Sequence, residues 1–526
     1  MKELLCFLTV LALILLLAPV CAEEADAGDN HRVFYEIFVG SFSDSDGDGI
    51  GDLRGIINRM DYLNDGDPAS GKCLGIEGIW LTPVFQSPSY HKYDVTDYYT
   101  IDPAFGTTED LRELIRICHE RNVKVILDLP LNHTGDRNQW FRNFCNAHLL
   151  HNEKNNCYNF YTWIRKGDPL PAGRRFEPIP GTDELYECNF SEHMPELDFD
   201  NEQVWEAALD IAEYYLGLGV DGFRFDAARY IYLNENDKNA AFWAKYMEKL
   251  RKIKPDIYTV AEVWDGDGVI EQYQKTVNCF HFSTAQVEGI YAETAKGGDV
   301  NKLTRATESY LNRLREINPE AMNIPFISNH DMNRAAGYLS MSNGRMQMAA
   351  NLYILTPGSP FIYYGEEIGL RGSLGGADTD ANLRLKMLWG DGDPVQDPED
   401  SNYKKQTTYS VKDLEGIRSS LLNHYRKLIA VRKANPEIAR GKYQALTFKN
   451  TKLGGFLCTW NGKTVGVFHN TTGKELTVDL KEATEQTFTE IAAVLEAVPG
   501  EGGAALEGTK LTLGPQTSAV LRADHS

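Results

Sequence analysis

The chain has 526 residues, 42% of them hydrophobic and 11% aromatic, which is apolar material for two or three packed domains. Its formal net charge of -22 argues against a phosphate backbone or an anionic membrane surface as partner, and leaves a neutral ligand open. The aromatic residues can supply flat platforms for stacking.

Residues 1–22 read as a targeting segment. Lys2 gives the positive start, and "LLCFLTVLALILLLAPV" is an apolar run too short for a comfortable membrane span. Val20 and Ala22 put small residues where a signal peptidase reads. The expectation is export with cleavage after Ala22, and a secreted or extracytoplasmic protein. The alternative is a lipid anchor on Cys21 at the cell surface, although Val20 stands where Gly, Ala or Ser is usual. No other run is long enough to cross a bilayer.

From residue 29 onward strand-like and helix-like segments alternate. "VFYEIFV" is the first strand. After it comes "DSDGDGIGD", with Asp44, Asp46, Asp48 and Asp52 spaced as ligands and Gly49 at a tight turn. This matches positions 1, 3, 5, 6 and 9 of an EF-hand loop, with the Ile50 backbone carbonyl at position 7. Gly55 stands at position 12, where an EF-hand needs a bidentate Glu, and no helix pair flanks the loop. The expectation is a structural calcium loop on another scaffold; the bland alternative is a solvated acidic turn.

The strands "GIEGIWL" and "VKVILDL" follow. Between them "TTEDLRELIRICHERN" places Thr107 and Asp110 as a capping box, with Leu111, Leu114, Ile115 and Cys118 on one helical stripe. Residues 134–204 then break the rhythm with a long, irregular, polar stretch, a length that usually serves function. Beyond it lie the helix "VWEAALDIAEYYLGLG" and the strands "VDGFRFD", "DIYTVAEV", "NIPFIS" and "PFIYYG". This alternation predicts a parallel sheet, and seven visible strand–helix units favour an eight-stranded barrel. After about residue 436 short alternating strands such as "YQALTFKN", "GGFLCTW" and "KTVGVFHN" predict a separate all-β domain.

Seven cysteines lie outside the leader, so at least one thiol is unpaired. Cys145 and Cys157 are the best candidates for a disulfide in an exported chain, and Cys118 is expected in the core. No CxxC pair suggests a zinc site.

Charged residues recur where strands end. "VILDLPLNH" closes on Asp128, Asn132 and His133, "DGFRFD" on Arg224 and Asp226, "IYTVAEVW" on Glu262, and "PFISNHD" on Asn329, His330 and Asp331. In a barrel these ends share one face, and like charges gathered there cost stability, which argues for chemistry. Acetal cleavage needs such a set: a proton donor for the leaving oxygen and a carboxylate for the developing positive charge. Arg224 beside Asp226 would keep that carboxylate ionised.

These motifs carry a resemblance to the α-amylase family of glycoside hydrolases. "DLPLNH", "GFRFDAARY", "AEVW" and "FISNHD" stand in the family's order, joined by "FYEIFVGSFSDSDGDGIGDLRGI", "HKYDVTDYY", "MPELDFD" and "YYGEEIGL". The resemblance covers nearly the whole mature chain. It implies an α/β fold: a (β/α)8 TIM barrel (29–133 and 205–435), a loop-rich domain inserted after strand 3 (134–204) and a C-terminal all-β sandwich (436–526). It implies Asp226 as nucleophile, Glu262 as general acid/base and Asp331 as transition-state stabiliser. His133, Arg224 and His330 would bind the sugar at the cleavage point, Tyr93 would stack on it, and His91 and Asp94 would lie beside it. Calcium-type loops follow the first strand in many relatives.

Departures from the family bear on specificity. Tyr230 stands where the family's amylases have His, and "MPELD" lies between the forms seen in oligosaccharide glucosidases and in neopullulanases. Ala227, in place of the Val that accompanies α-1,6 preference, leans toward α-1,4 bonds. The implied activity is hydrolysis of α-1,4-glucans and malto-oligosaccharides, with an α-glucosidase, neopullulanase or transglycosylase as alternatives. A non-catalytic relative would usually lack one of the three carboxylates, and this chain has all three.

Overall fold

The computed structural model describes residues 29–340, 342–374, 380–497 and 502–523. The leader and Cys21 lie outside the described residues. The central sheet contains β1 (Phe34–Ile37), β2 (Gly78–Leu81), β3 (Lys124–Leu129), β4 (Gly222–Phe225), β5 (Tyr258–Ala261), β6 (Asn278–Cys279) and β7 (Phe361–Tyr363). All the pairings are parallel and run in the order β6–β5–β4–β3–β2–β1–β7. All residues of these strands but Asn278 are buried, because side chains fill the inside and helices cover the outside.

The eighth position is occupied by residues 323–327. Ile324 bridges Phe280 in parallel, and the Pro325 carbonyl accepts from Phe361 N at 3.0 Å. "NIPFIS" therefore sits where a strand was expected but keeps only a partial ladder, since Pro325 has no N–H to donate. The result is a closed (β/α)8 barrel. Gly222 opens β4 where a Cβ would lie 1.6 Å from the Tyr258 carbonyl oxygen, so only glycine lets β4 and β5 approach.

Helices follow their sequence signals. α1 (Leu53–Asn58) is capped by Asp52. In α2 (Thr108–Glu120) Thr107 and Asp110 form the capping box, and Leu111, Leu114, Ile115 and Cys118 are buried. Within 134–204 there are α3 (Gln139–Leu149) and a three-stranded antiparallel sheet with Glu184–Glu187 between Trp163–Arg165 and Phe176–Pro178. This unit stands over the C-terminal end of β3: Leu197 N donates to Asn132 O at 2.9 Å, and Gly135 N to Val95 O at 2.8 Å. α4 (Glu202–Leu218) stops at Gly219, whose φ of +105° is a left-handed cap.

The C-terminal part is two antiparallel sheets. The larger is ordered Lys442–Leu446, Leu453–Trp460, Lys463–Asn470, Thr517–Ala523, Phe488–Glu496; the smaller has Lys510–Leu513 between Leu476–Asp479 and Ala504–Glu507. Alternation divides the larger sheet. Phe456, Cys458, Val467 and Val520 join the barrel's core, whereas Leu457, Phe468 and Leu521 face the small sheet's Leu511 and Leu513.

The expected disulfide is absent. Cys145 and Cys157 are both free thiols, like the other five cysteines among the described residues. Cys145 rides on α3, and the Cys157 sulfur is engaged by the Asn143 side chain of that same helix. Cys118 is buried in the core.

Candidate active site

Alternation along β4 decides which side chains meet. Phe225 points outward onto Trp243 and Tyr246 of α5 (Asn236–Ile253). Arg224 points inward, 1% exposed, with its guanidinium 5.1 Å from the Trp80 ring of β2. Three carboxylates hold it. Its Nη1 donates to Asp128 Oδ1 at 2.8 Å and to Asp226 Oδ1 at 2.5 Å, and its Nη2 lies 3.0 Å from Glu262 Oε2. The acids belong to the ends of β3, β4 and β5. A planar fork suits this role; a point charge could not reach all three. Glu262 also accepts from Ala227 N at 2.9 Å, which fixes it against the turn following Asp226. Ala227 itself has φ of +45°, a strained left-handed conformation at the base of the site.

The third acid comes from the far side. Asp331 Oδ2 lies 3.0 Å from His330 Nε2, and its Oδ1 accepts from Arg384 Nη2 at 2.7 Å. Tyr93 stacks on His330 at 9° between ring planes, and its hydroxyl donates to Asp128 at 2.9 Å.

The carboxyls differ in electrostatic state. Burial pushes Glu262 up to about 7; Arg224 opposes this, and Asp226 and Asp331 add to it. Burial also raises Asp226, with Arg224 opposing through charge and hydrogen bond. For Asp331 the burial penalty is outweighed by His330, Arg384 and Arg224, which hold it well below the usual carboxylate range. One acid is thus poised to give a proton near neutrality while another stays ionised beside it.

Asp226, Glu262 and Asp331 line a cavity of about 450 Å³ together with His91, Tyr93 and His133. Burial pulls both histidines down to about 4, so each is neutral at pH 7. Arg224 and His330 lie beneath the cavity floor. Asp94 stands behind the wall, accepting from the Ser87 and Ser89 hydroxyls. Larger hollows of about 800 Å³ beside Tyr99 and Trp140 and about 710 Å³ near Trp460 contain none of the three acids.

Sequence reasoning missed several lining residues. Asp380 opens and Arg384 follows a short 3-10 turn, Asp380–Leu383, with no recognisable sequence signal, and they pair with each other at 2.9 Å. Phe190 from the inserted region packs against Tyr230 at 4.6 Å, and Trp264 stacks on Phe282 at the cavity's edge. Trp264 carried a signal: an aromatic residue two positions past a strand-end acid.

In the acidic loop the carboxylates of Asp44, Asp46 and Asp48 converge, with ligand atoms all within 4.8 Å of one another. Asp44 accepts from the backbone N–H of Asp46, Gly47 and Gly49, and Asp48 accepts from Ile50. Gly47 and Gly49 take φ of +91° and +94°, which only glycine adopts freely. Asp52 is turned to other work: its oxygens accept from Ser45 and from Gly55 N as the cap of α1. This all-oxygen, carboxylate-rich set fits a hard cation such as calcium.

A family model for the alpha amylase catalytic domain matches residues 36–441. The chain belongs to the alpha-amylase family. Alpha-amylase 3 of Dictyoglomus thermophilum is 33% identical over 506 residues, covering 94% of this chain and 93% of that protein. Oligo-1,6-glucosidase of Bacillus cereus is 28% identical, covering 93% and 98%. Among solved structures, Eubacterium rectale Amy13B superposes with a TM-score of 0.86 at 30% identity, covering 94% and 96%. The alpha-amylase from H.orenii superposes with 0.81 at 34%, covering 94% and 100%. This member of the alpha-amylase family is a glycoside hydrolase by that relationship.

Proposed function

We propose that the protein is a retaining, endo-acting α-amylase cleaving α-1,4-glucosidic bonds in starch and malto-oligosaccharides. The observation that carries this reading is the single Arg224 guanidinium bonded to both Asp226 and Glu262. Two carboxyls sharing one guanidinium favour a retaining enzyme, whose pair generally lies about 5–5.5 Å apart, over an inverting one, whose wider gap admits a water between them. Glu262 gives its proton to the glycosidic oxygen as Asp226 bonds to the anomeric carbon and the C–O bond breaks. Water then attacks that carbon, Glu262 takes the water's proton, and Asp226 leaves as carboxylate. Asp331 stabilises the positive charge on the ring in both steps.

Specificity is read from the walls. Ala227 leaves space beside Asp226, and Phe190, Tyr230 and Trp264 offer ring faces to further sugar units. Calcium in the loop at 44–52 would pin the chain after β1 and take no part in the chemistry. Export through the leader fits a polymeric substrate met outside the cell. Proton NMR in the first minutes of starch digestion is expected to show α-configured malto-oligosaccharides, with pullulan cleaved more slowly than starch. Initial β-anomer would overturn the mechanism; faster pullulan cleavage would overturn the bond preference alone.

A further inference from the structure

Glu36, the third residue of β1, is a carboxylate with 2% side-chain exposure in an otherwise apolar strand. Its Oε1 lies 2.6 Å from His330 Nδ1 and also accepts from His330 N at 3.3 Å. On the other side of the ring, Nε2 lies 2.7 Å from the Tyr93 hydroxyl and 3.0 Å from Asp331 Oδ2. Donor and acceptor roles follow from the partners. A carboxylate only accepts, so Nδ1 carries a proton toward Glu36. Tyr93 gives its own proton to Asp128, so toward His330 its oxygen accepts. Asp331 is a carboxylate that also accepts from Arg384, and it accepts here too. Both ring nitrogens therefore carry hydrogen, and the ring is an imidazolium.

We propose that Glu36 is a positioning residue that keeps His330 doubly protonated, so that a charged N–H is permanently aimed at Asp331 and the bound sugar. The inference rests on the strand-end carboxylates being the active site. The groups facing the ring are Glu36 from β1, Trp80 from β2, Tyr93 after it, Asp128 from β3, Arg224 and Asp226 at the end of β4, Asp331, and Arg384, whose Nε donates to the His330 carbonyl at 3.1 Å. Burial pulls the imidazole down, and Asp331 and Glu36 together outweigh it, which puts the ring at about 10. In Glu36→Gln the amide can donate to Nδ1, so a neutral ring fits the same space and one charge is lost without a cavity.

Two measurements test this. In protein labelled with [15N]histidine, the His330 signals are assigned by their loss in His330→Asn. The parent ring is expected to stay doubly protonated from pH 5 to 9, and the Glu36→Gln ring to lose a proton at least two pH units below the parent. A parent ring that is neutral at pH 8, or a variant that titrates with the parent, would overturn the proposal. In the second, the ratio of kcat at pH 8.5 to kcat at pH 6 is compared. The variant's ratio is expected to fall at least tenfold below the parent's, while Glu36→Asp restores most of it. Parallel profiles would remove the positioning role, since a merely structural defect lowers both rates equally. The resonance measurement on the parent requires the folded His330→Asn protein for assignment but no turnover, so its failure is distinct from a failure of the proposed activity.

Discussion

Replacing Glu262 by Gln removes the one proton that the proposed chemistry has to deliver and leaves the shape of the site almost unchanged. The amide can still accept from Ala227 N and face Arg224, whose guanidinium keeps Asp128 and Asp226. General acid assistance is typically worth 10²–10⁴-fold, so turnover on starch is expected to fall by that much. A maltosyl fluoride carries a leaving group that needs no proton, and formation of the glycosyl-enzyme from it is expected to slow by less than tenfold. The parent should show the matching pH dependence. With Glu262 at about 7, about a tenth of the enzyme is protonated at pH 8 and about a hundredth at pH 9, so activity on starch falls about tenfold per unit there. Stability moves in the opposite direction. The folded carboxyl prefers its proton, so ionising it opposes folding, a cost absent below about 4.5 and complete above about 7. The shift corresponds to up to about 3 kcal/mol, and Gln escapes it. The variant should therefore melt higher than the parent at pH 8 and gain little at pH 4.5. Stopped-flow rates on both substrates and melting curves at the two pH values decide the matter. Equal losses on starch and on the fluoride would refute Glu262 as proton donor.

Asp226→Asn should cost several powers of ten in kcat on every substrate, the fluoride included, because the nucleophile itself is gone; activity within tenfold of the parent would remove its assignment. Chelation should lower Tm while leaving initial rates at moderate temperature nearly unchanged, and restoring calcium to a hundredfold excess over Kd should return about 2.7 kcal/mol. A melting curve indifferent to chelator, in protein that began with bound calcium, would count against the loop at 44–52. Gly222→Ala sets a Cβ against the Tyr258 carbonyl, so the soluble yield should collapse or stability fall by about 3 kcal/mol or more; a variant as stable as the parent would show that the β4–β5 seam can open.

Strand-end acids were legible because a barrel turns position into function: a charge closing an apolar run lands at one face. In "FRFD", strand alternation puts Arg224 and Asp226 on one face, away from Phe223 and Phe225. "FYEIF" has the same pattern, a charge between rings in a strand, yet nothing in the sequence names the partner of Glu36, because His330 lies 294 positions away. Arg384 and Asp380 were invisible for a related reason: they bound a single short 3-10 turn with no wider periodicity, and only folding brings Arg384 to Asp331. The cysteine pairing was misjudged because closeness in sequence says nothing about where a helix aims its side chains. Asp52 fits a ligand by spacing and a helix cap by position, and spacing alone does not choose between them.

Arg224 bridges the ends of three neighbouring strands, and this constrains assembly as well as catalysis. Apolar strands can slide past one another by two residues and still bury greasy side chains. β4 cannot, because a slip would carry one cation away from Asp128 and Glu262 together and leave unpaired charges in the dry interior. The same guanidinium that organises the acids therefore also acts as a register pin for the barrel. A graft of β4 from a distant relative has to bring its partners on β3 and β5 with it, so the inheritable unit here is a block of three strands rather than a motif.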